Sequence, residues 1–143
     1  IDDLHERAGS TNVLHVHGEI LKARSSVDPS LVYPLATAVI EMGQLCEQGS
    51  QLRPDVVWFG EAVRFMDEAA REFARASRVL TIGTSLSVYP AAGLVRNAKP
   101  AAEKYLVAPE IDRPPPGYHF FRGRAAEVVP HIARCWLEGR KPC

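Results

Sequence analysis

The stretch Arg78-Val79-Leu80-Thr81-Ile82-Gly83-Thr84 decides how this chain folds. It reads as a strand that runs into a glycine and then into Ser85, Leu86 and Ser87. Pro90 follows and opens a helix over Pro90–Lys99, because proline's missing N–H costs nothing in a first helical turn. Toward the C-terminus the next strand is Glu103–Val107. A loop with Pro109, Pro114, Pro115, Pro116 and Gly117 leads to a short strand, His119–Arg122, and a final helix over Pro130–Leu137. Toward the N-terminus Val63, Met66, Ala70 and Phe73 make one apolar stripe of a helix over Ala62–Ala76. Before it, Asp55–Phe59 reads as a strand ended by Gly60. Strands thus alternate with helices from Asp55 onward, the pattern of an α/β domain with a mostly parallel sheet. Such sheets bind ligands at the carboxyl ends of their strands, here Gly60-Glu61, Gly83-Thr84-Ser85 and Ala108-Pro109-Glu110. Nearer the start, Val13–His17 reads as a short strand with Gly18 as its breaker. Residues 24–54, with Pro29, Pro34, Gly43, Gly49 and Pro54, read as irregular apart from a short helix around Leu35–Met42.

The chain has 143 residues, enough for one domain of ordinary size. Hydrophobic residues make up 46% and charged residues 24%, which argues against disorder of the whole chain. Lys+Arg and Asp+Glu both number 17, so the basic excess of a nucleic-acid module or a membrane-surface patch is absent. The longest mostly apolar stretch, Leu31–Ile40, contains Pro34 and is far short of the roughly 20 residues that span a bilayer. Ile1-Asp2-Asp3 does not open a signal peptide. Three scattered cysteines, Cys46, Cys135 and Cys143, make no disulfide framework, and a reducing, cytoplasmic setting is the simplest expectation. The start at Ile1, with no methionine, suggests a piece of a longer protein.

Few residues are suited to chemistry. Gly83-Thr84-Ser85 is either an ordinary strand-to-helix turn or a polar rim whose N–H groups and hydroxyls hold phosphate or ribose oxygens. No G-x-G-x-x-G fingerprint and no P-loop accompany it, which speaks against a dehydrogenase or phosphotransferase. His17 beside Gly18 is either a hydrogen-bonded structural histidine or a general base poised near neutral pH. His15 lies two residues earlier, but the pair lacks a third metal ligand nearby. Cys46 has no CxxC partner, so a cysteine-rich zinc site cannot be built, and Cys135 reads as core. Trp58-Phe59 reads either as core packing or as the apolar wall of a substrate tunnel.

Taken together these segments resemble the sirtuin family of NAD-dependent protein deacylases. Ile1-Asp2 resembles the end of the family's Gln-Asn-Ile-Asp motif, and Asp3-Leu4-His5-Glu6-Arg7-Ala8-Gly9 continues it as in bacterial members. Val13-Leu14-His15-Val16-His17-Gly18 resembles the segment with the catalytic histidine-glycine pair. Leu52–Glu61 resembles the substrate-binding strand, Gly83–Pro90 the ribose-binding turn, and Gly123–Pro130 the adenine-side loop. The likeness runs from residue 1 to about residue 138.

The resemblance implies a partial Rossmann-like, doubly wound parallel sheet over residues 55–138, with a small-module insertion at 19–54. It implies that residues 1–143 are the C-terminal portion of a catalytic domain whose phosphate-binding N-terminal half is missing. The implied activity is deacylation of acyl-lysine in a peptide or protein substrate, with NAD as cosubstrate and release of nicotinamide. His17 is the implied base, since a ribose hydroxyl must lose its proton and a neutral imidazole takes it at pH 7. The implied cofactor contacts are Ile1 and Asp2 near nicotinamide, Gly83, Thr84 and Ser85 at ribose, and Ala108, Pro109, Glu110 and Ala125 on the adenosine side. The implied peptide contacts are Val57, Trp58, Phe59, Gly60 and Glu61 together with Leu86, Ser87 and Val88, with the peptide added as a strand. Most relatives hold zinc with four cysteines, but Ser25 and Asp28 stand about where the first pair belongs and only Cys46 remains of the second, which implies a zinc-free subgroup. Ala108 replaces a usual Asn. The same scaffold also suits mono-ADP-ribosyl transfer, and a chain lacking its first half also suits a non-catalytic fragment or an acyl-lysine-binding module.

Overall fold

Strand β5, Glu103–Ala108, is the middle of a three-stranded parallel sheet in the computed structural model, which describes residues 1–143. Tyr105, Leu106, Val107 and Ala108 are all nearly or fully buried, as expected of a strand covered on both faces. On one side it pairs with β4, Arg78–Ile82, in register from Arg78 opposite Glu103 to Ile82 opposite Val107. On the other it pairs with β6, His119–Arg122, from Tyr105 opposite His119 to Ala108 opposite Arg122. The Tyr105 ring packs among His119, Phe121 and Trp136, with centroids 5.6, 5.9 and 5.7 Å away. Three further elements belong to this unit, Met66–Cys143: α2 (Met66–Arg75), a 3-10 helix (Ala91–Asn97) and α3 (Ala125–Leu137). Ile132 and Cys135 of α3 are buried, and the Trp136 indole N–H reaches Glu103 at 3.3 Å. The Tyr118 hydroxyl donates to the Val95 carbonyl at 2.9 Å, tying the proline-rich loop to the 3-10 helix. Buried Lys104 donates to the carbonyls of Lys99, Pro100 and Ala102 at 2.9–3.1 Å.

The α/β class and the parallel sheet expected from the sequence are both present. Some expected elements differ. Helix α3 begins at Ala125, with Pro130 inside it rather than at its start. The segment after Pro90 winds as a 3-10 helix rather than an α-helix.

The other compact unit, Ile1–Phe65, holds a three-stranded antiparallel sheet in the order β2-β1-β3. Its strands are β1 (Gly18–Ser25), β2 (Val32–Pro34) and β3 (Leu52–Val56). Residues 24–54 therefore carry strands where irregular chain is expected, and Leu35–Met42 forms no helix. Alternating hydrophobicity misses β1 and β3 because charged residues fill them: Glu19, Lys22, Arg24, Arg53 and Asp55. Val13–His17 is not a strand either, and Gly18 starts β1 instead of ending a strand. Gly18 has φ +84°, and a Cβ there would overlap the Asp55 carbonyl oxygen, so only glycine lets β1 pair closely with β3. The short helix α1, Leu4–Arg7, precedes this sheet.

The apolar core of this unit is small. Ala23, Cys46 and Leu52 are buried, with Leu31, Tyr33, Leu35 and Ile40 packed against them. Beside it lies a polar knot. The Ser25 and Ser50 hydroxyls are 2.6 Å apart, and Ser25 Oγ accepts the N–H groups of Val27 and Asp28 at 3.1 and 2.9 Å. Cys46 Sγ lies 3.1 Å from Ser50 Oγ, and that hydrogen bond pulls the thiol down to about 7. These hydroxyls and the thiol satisfy one another, and the Asp28 carboxylate is engaged by Ser30. This donor set does not suit zinc, and no group of three or more His, Cys, Asp or Glu side chains is placed to hold a metal ion.

Candidate functional site

In Met66–Cys143 the three parallel strands end side by side, and each runs into a segment singled out above. Beyond β4 lie Gly83, Thr84 and Ser85, beyond β5 lie Pro109 and Glu110, and beyond β6 lies the turn into Ala125. Gly83 adopts φ +65° and its N–H donates to the Val107 carbonyl at 2.9 Å, so the chain turns away from the sheet at once. The Thr84 hydroxyl accepts the Leu86 N–H at 3.0 Å, and the Ser85 and Ser87 hydroxyls are 2.6 Å apart. Leu86 has φ +55°, an uncommon left-handed conformation for a branched side chain. The Gly123 N–H donates to the Ala108 carbonyl at 3.1 Å. Ala125 is the first residue of α3, whose initial N–H groups have no partner within the helix. Together these make a rim of hydroxyls and main-chain groups at the sheet's carboxyl edge.

In Ile1–Phe65 the candidates are Ile1, Asp2, His17 and Val57–Glu61. The Ile1 carbonyl accepts the Ile20 N–H at 2.8 Å, which lays the N-terminus along β1. Asp2 Oδ1 accepts the Leu4 N–H at 3.0 Å, and that bond is the chief cause holding its carboxyl below the usual range. His17 has a buried Nε2 with no hydrogen-bond partner. Its carbonyl accepts the Val57 N–H at 2.9 Å, while the neighbouring Val16 carbonyl accepts the Arg64 N–H at 3.1 Å. The loop Val57–Arg64 is therefore pinned at both ends to the histidine segment. Within it Trp58, Phe59 and Gly60 are exposed. His15 Nε2 lies 2.6 Å from Glu6 Oε1, tying α1 to the same segment and lowering the Glu6 carboxyl.

Sequence reasoning missed the ion pairs that hold this loop. Asp55, only 2% exposed, takes both terminal nitrogens of Arg64, one at 2.9 Å. Glu61 is engaged by Arg53 and Arg24, the latter at 2.8 Å. The available signal is a pair of opposite charges eight or nine residues apart across Gly60: Arg53 with Glu61, and Asp55 with Arg64.

The sequence model of the Sir2 family matches residues 1–90, more than half of the chain. The chain belongs to the Sir2 family. An NAD-dependent protein deacylase of Helicobacter pylori (strain ATCC 700392 / 26695) is 50% identical over 110 residues, covering 77% of this chain and 48% of its own. One from Escherichia coli (strain K12) is 40% identical over 145 residues, covering 99% and 52%. Among solved structures, a Sir2 homologue in complex with ADP-ribose superimposes with a TM-score of 0.86 at 36% identity, covering 97% of this chain and 58% of that one. A Sir2 protein bound to a myristoylated histone peptide gives 0.77 at 34% identity, covering 97% and 64%. This Sir2 chain spans about half the length of the curated relatives it matches.

Proposed function

We propose that this chain supplies the base, the peptide-binding segment and the ribose and adenosine contacts of an NAD-dependent protein-lysine deacylase. The observation that carries the proposal is His17: a buried imidazole nitrogen without a partner, on a backbone that is hydrogen-bonded to the exposed loop Val57–Glu61. An imidazole kept free of protein partners is available to take a proton from a bound hydroxyl. The relatives' names and the ADP-ribose complex support NAD as cosubstrate, and the polar rim of the parallel sheet fits the ribose and adenosine portion of such a molecule.

NAD supplies the ADP-ribosyl group that accepts the acyl unit as nicotinamide leaves. Every other contribution comes from side chains and main chain. His17 Nε2 removes a proton from a ribose hydroxyl. Ile1 and Asp2 face the nicotinamide end, and Gly83, Thr84 and Ser85 orient ribose. Ala108, Pro109, Glu110 and Ala125 line the adenosine side. Val57, Trp58, Phe59, Gly60 and Glu61 form a peptide-binding segment, acting through the main-chain groups that its own turn leaves free. Leu86, Ser87 and Val88 are further peptide contacts of this reading. The acyl-lysine substrate is supported by the Sir2 protein solved with a myristoylated histone peptide. A bacterial cytoplasm is the setting of this reading, supported by bacterial relatives and by Cys46, Cys135 and Cys143, all free thiols. No helix is long and apolar enough to cross a membrane.

The test is product analysis with NAD and an acetyl-lysine peptide, on this chain and on a chain extended upstream to the length of its relatives. Nicotinamide and acyl-ADP-ribose in equal amounts from the extended chain are expected. ADP-ribose attached to protein would indicate a transferase, and no turnover alongside retained peptide binding would indicate a binding module.

A further inference from the structure

The carboxylate of Glu61 is paired inside the protein with two arginines. Four hydrogen bonds converge on it, three on Oε2 and one on Oε1. Arg24 Nη2 donates to Oε2 at 2.8 Å, Arg53 Nη1 donates to Oε1, and Arg53 Nη2 donates to Oε2 at 3.1 Å. The fourth donor is the main-chain N–H of Trp58, at 2.9 Å. The Glu61 N–H returns a bond to the Trp58 carbonyl at 3.0 Å, so Trp58–Glu61 is a closed turn fastened by side chain and main chain. Arg53 does more than pair. Its Nη2 also donates to the Val56 carbonyl at 2.8 Å, and its guanidinium lies 3.6 Å from the centroid of the Trp58 ring. The two arginines come from the neighbouring strands β1 and β3, so the turn is anchored to the sheet that begins beside His17.

We infer that Glu61 is a positioning residue: with Arg24 and Arg53 it holds the turn Trp58–Glu61 closed beside the His17 segment, so that substrate meets only main-chain groups the turn does not use itself, such as the Val57 carbonyl and the Phe59 and Gly60 amides, and it does not read substrate charge through its carboxylate. The inference rests on the deacylase reading for its substrate and goes beyond it in separating how the segment is held from what it recognises. A free carboxylate on this exposed loop would select basic residues beside the acyl-lysine. One whose charge is neutralised by two arginines leaves recognition to main-chain groups, which tolerate many sequences.

Two readouts keep failure of the inference apart from failure of the deacylase reading. The first is amide exchange at Trp58 in the 143-residue chain, which needs no turnover. Glu61→Ala is expected to speed exchange at Trp58 at least tenfold, while Val57, whose N–H is bonded to the His17 carbonyl, keeps its protection. Unchanged exchange at Trp58 overturns the clamp. The second is steady-state kinetics of the upstream-extended chain with two acetyl-lysine peptides, one flanked by arginine and one by alanine. Glu61→Ala is expected to raise KM for both peptides tenfold or more and by the same factor, with kcat falling threefold or less. Arg53→Lys, which keeps charge but loses the fork, is expected to show an intermediate rise. A loss confined to the arginine-flanked peptide makes Glu61 a charge reader and overturns the inference. If the unsubstituted extended chain turns over neither peptide, the deacylase reading fails, and amide exchange still decides the clamp.

Discussion

Ile1–Phe65 buries three apolar residues, Ala23, Cys46 and Leu52, beside buried Ser25 and Asp55. Met66–Cys143 buries the run Tyr105–Ala108 together with Val79, Leu94, Val95, Ile132 and Cys135. The first unit is organised by directional bonds: Asp55 with Arg64, Glu61 with Arg24 and Arg53, and Ser25 with Ser50. The second is organised by non-directional packing around one strand. Packing tolerates small displacements and suits a scaffold whose edge presents loops. Directional bonds fix angles, and here they hold the loop beside His17.

This contrast is open to attack by substitution. Leu106 is fully buried, and Leu106→Ala should cost about 4 kcal/mol through a cavity that the sheet cannot close, measured by denaturant unfolding. Leu106→Met, which conserves volume, should cost under about 1.5 kcal/mol. In the other unit Asp55→Ala should cost about 3 kcal/mol by leaving the Arg64 guanidinium and its neighbour Arg24 without their carboxylate. Asp55→Leu should not recover that loss, because the two arginines remain. Recovery by leucine would mean that packing organises both units alike.

Acid should separate the units as well. Arg53 and the Trp58 N–H hold the Glu61 carboxyl at about 2, against 4.5 for an unpaired glutamate. The stability this contributes is complete above about pH 4.5 and is lost as pH falls from there toward 2. Amide exchange followed downward from pH 5 should therefore show Trp58 losing protection before Leu106. Simultaneous loss would contradict the contrast. The smallest effect belongs to Ser25→Ala, which leaves the Val27 and Asp28 N–H groups without their acceptor and should cost about 1–2 kcal/mol in thermal or denaturant unfolding.

The same contrast explains what was legible in the sequence. In the packed unit the apolar runs at Arg78–Ile82 and Glu103–Ala108 place strands within a residue or two, because burial there follows from hydrophobicity alone. Pro130 misleads, since proline is read as a helix opener while the helix has already begun at Ala125. In the polar unit the strands β1 and β3 are hidden behind charge, and their partners are set by chain distant in sequence: Arg24 meets Glu61 across 37 residues. Gly18 reads locally as a breaker, yet its role is a close approach to Asp55, which no local pattern encodes. His17, the turn after Ile82 and the exposed loop after Val56 were all legible as candidates, because their residue types are rare in combination. What binds them together was not, because hydrogen-bond partners are a property of the fold.

The central claim is that the free Nε2 of His17 serves as the base of an acyl-lysine-dependent reaction on NAD. The most direct measurement is nicotinamide release by the upstream-extended chain carrying His17→Ala, with acetyl-lysine peptide affinity measured on the same sample. The account predicts at least a thousandfold loss of release, on the scale of a positioned base, with peptide affinity kept within about threefold. Release at a rate comparable to that of the unsubstituted chain would contradict it.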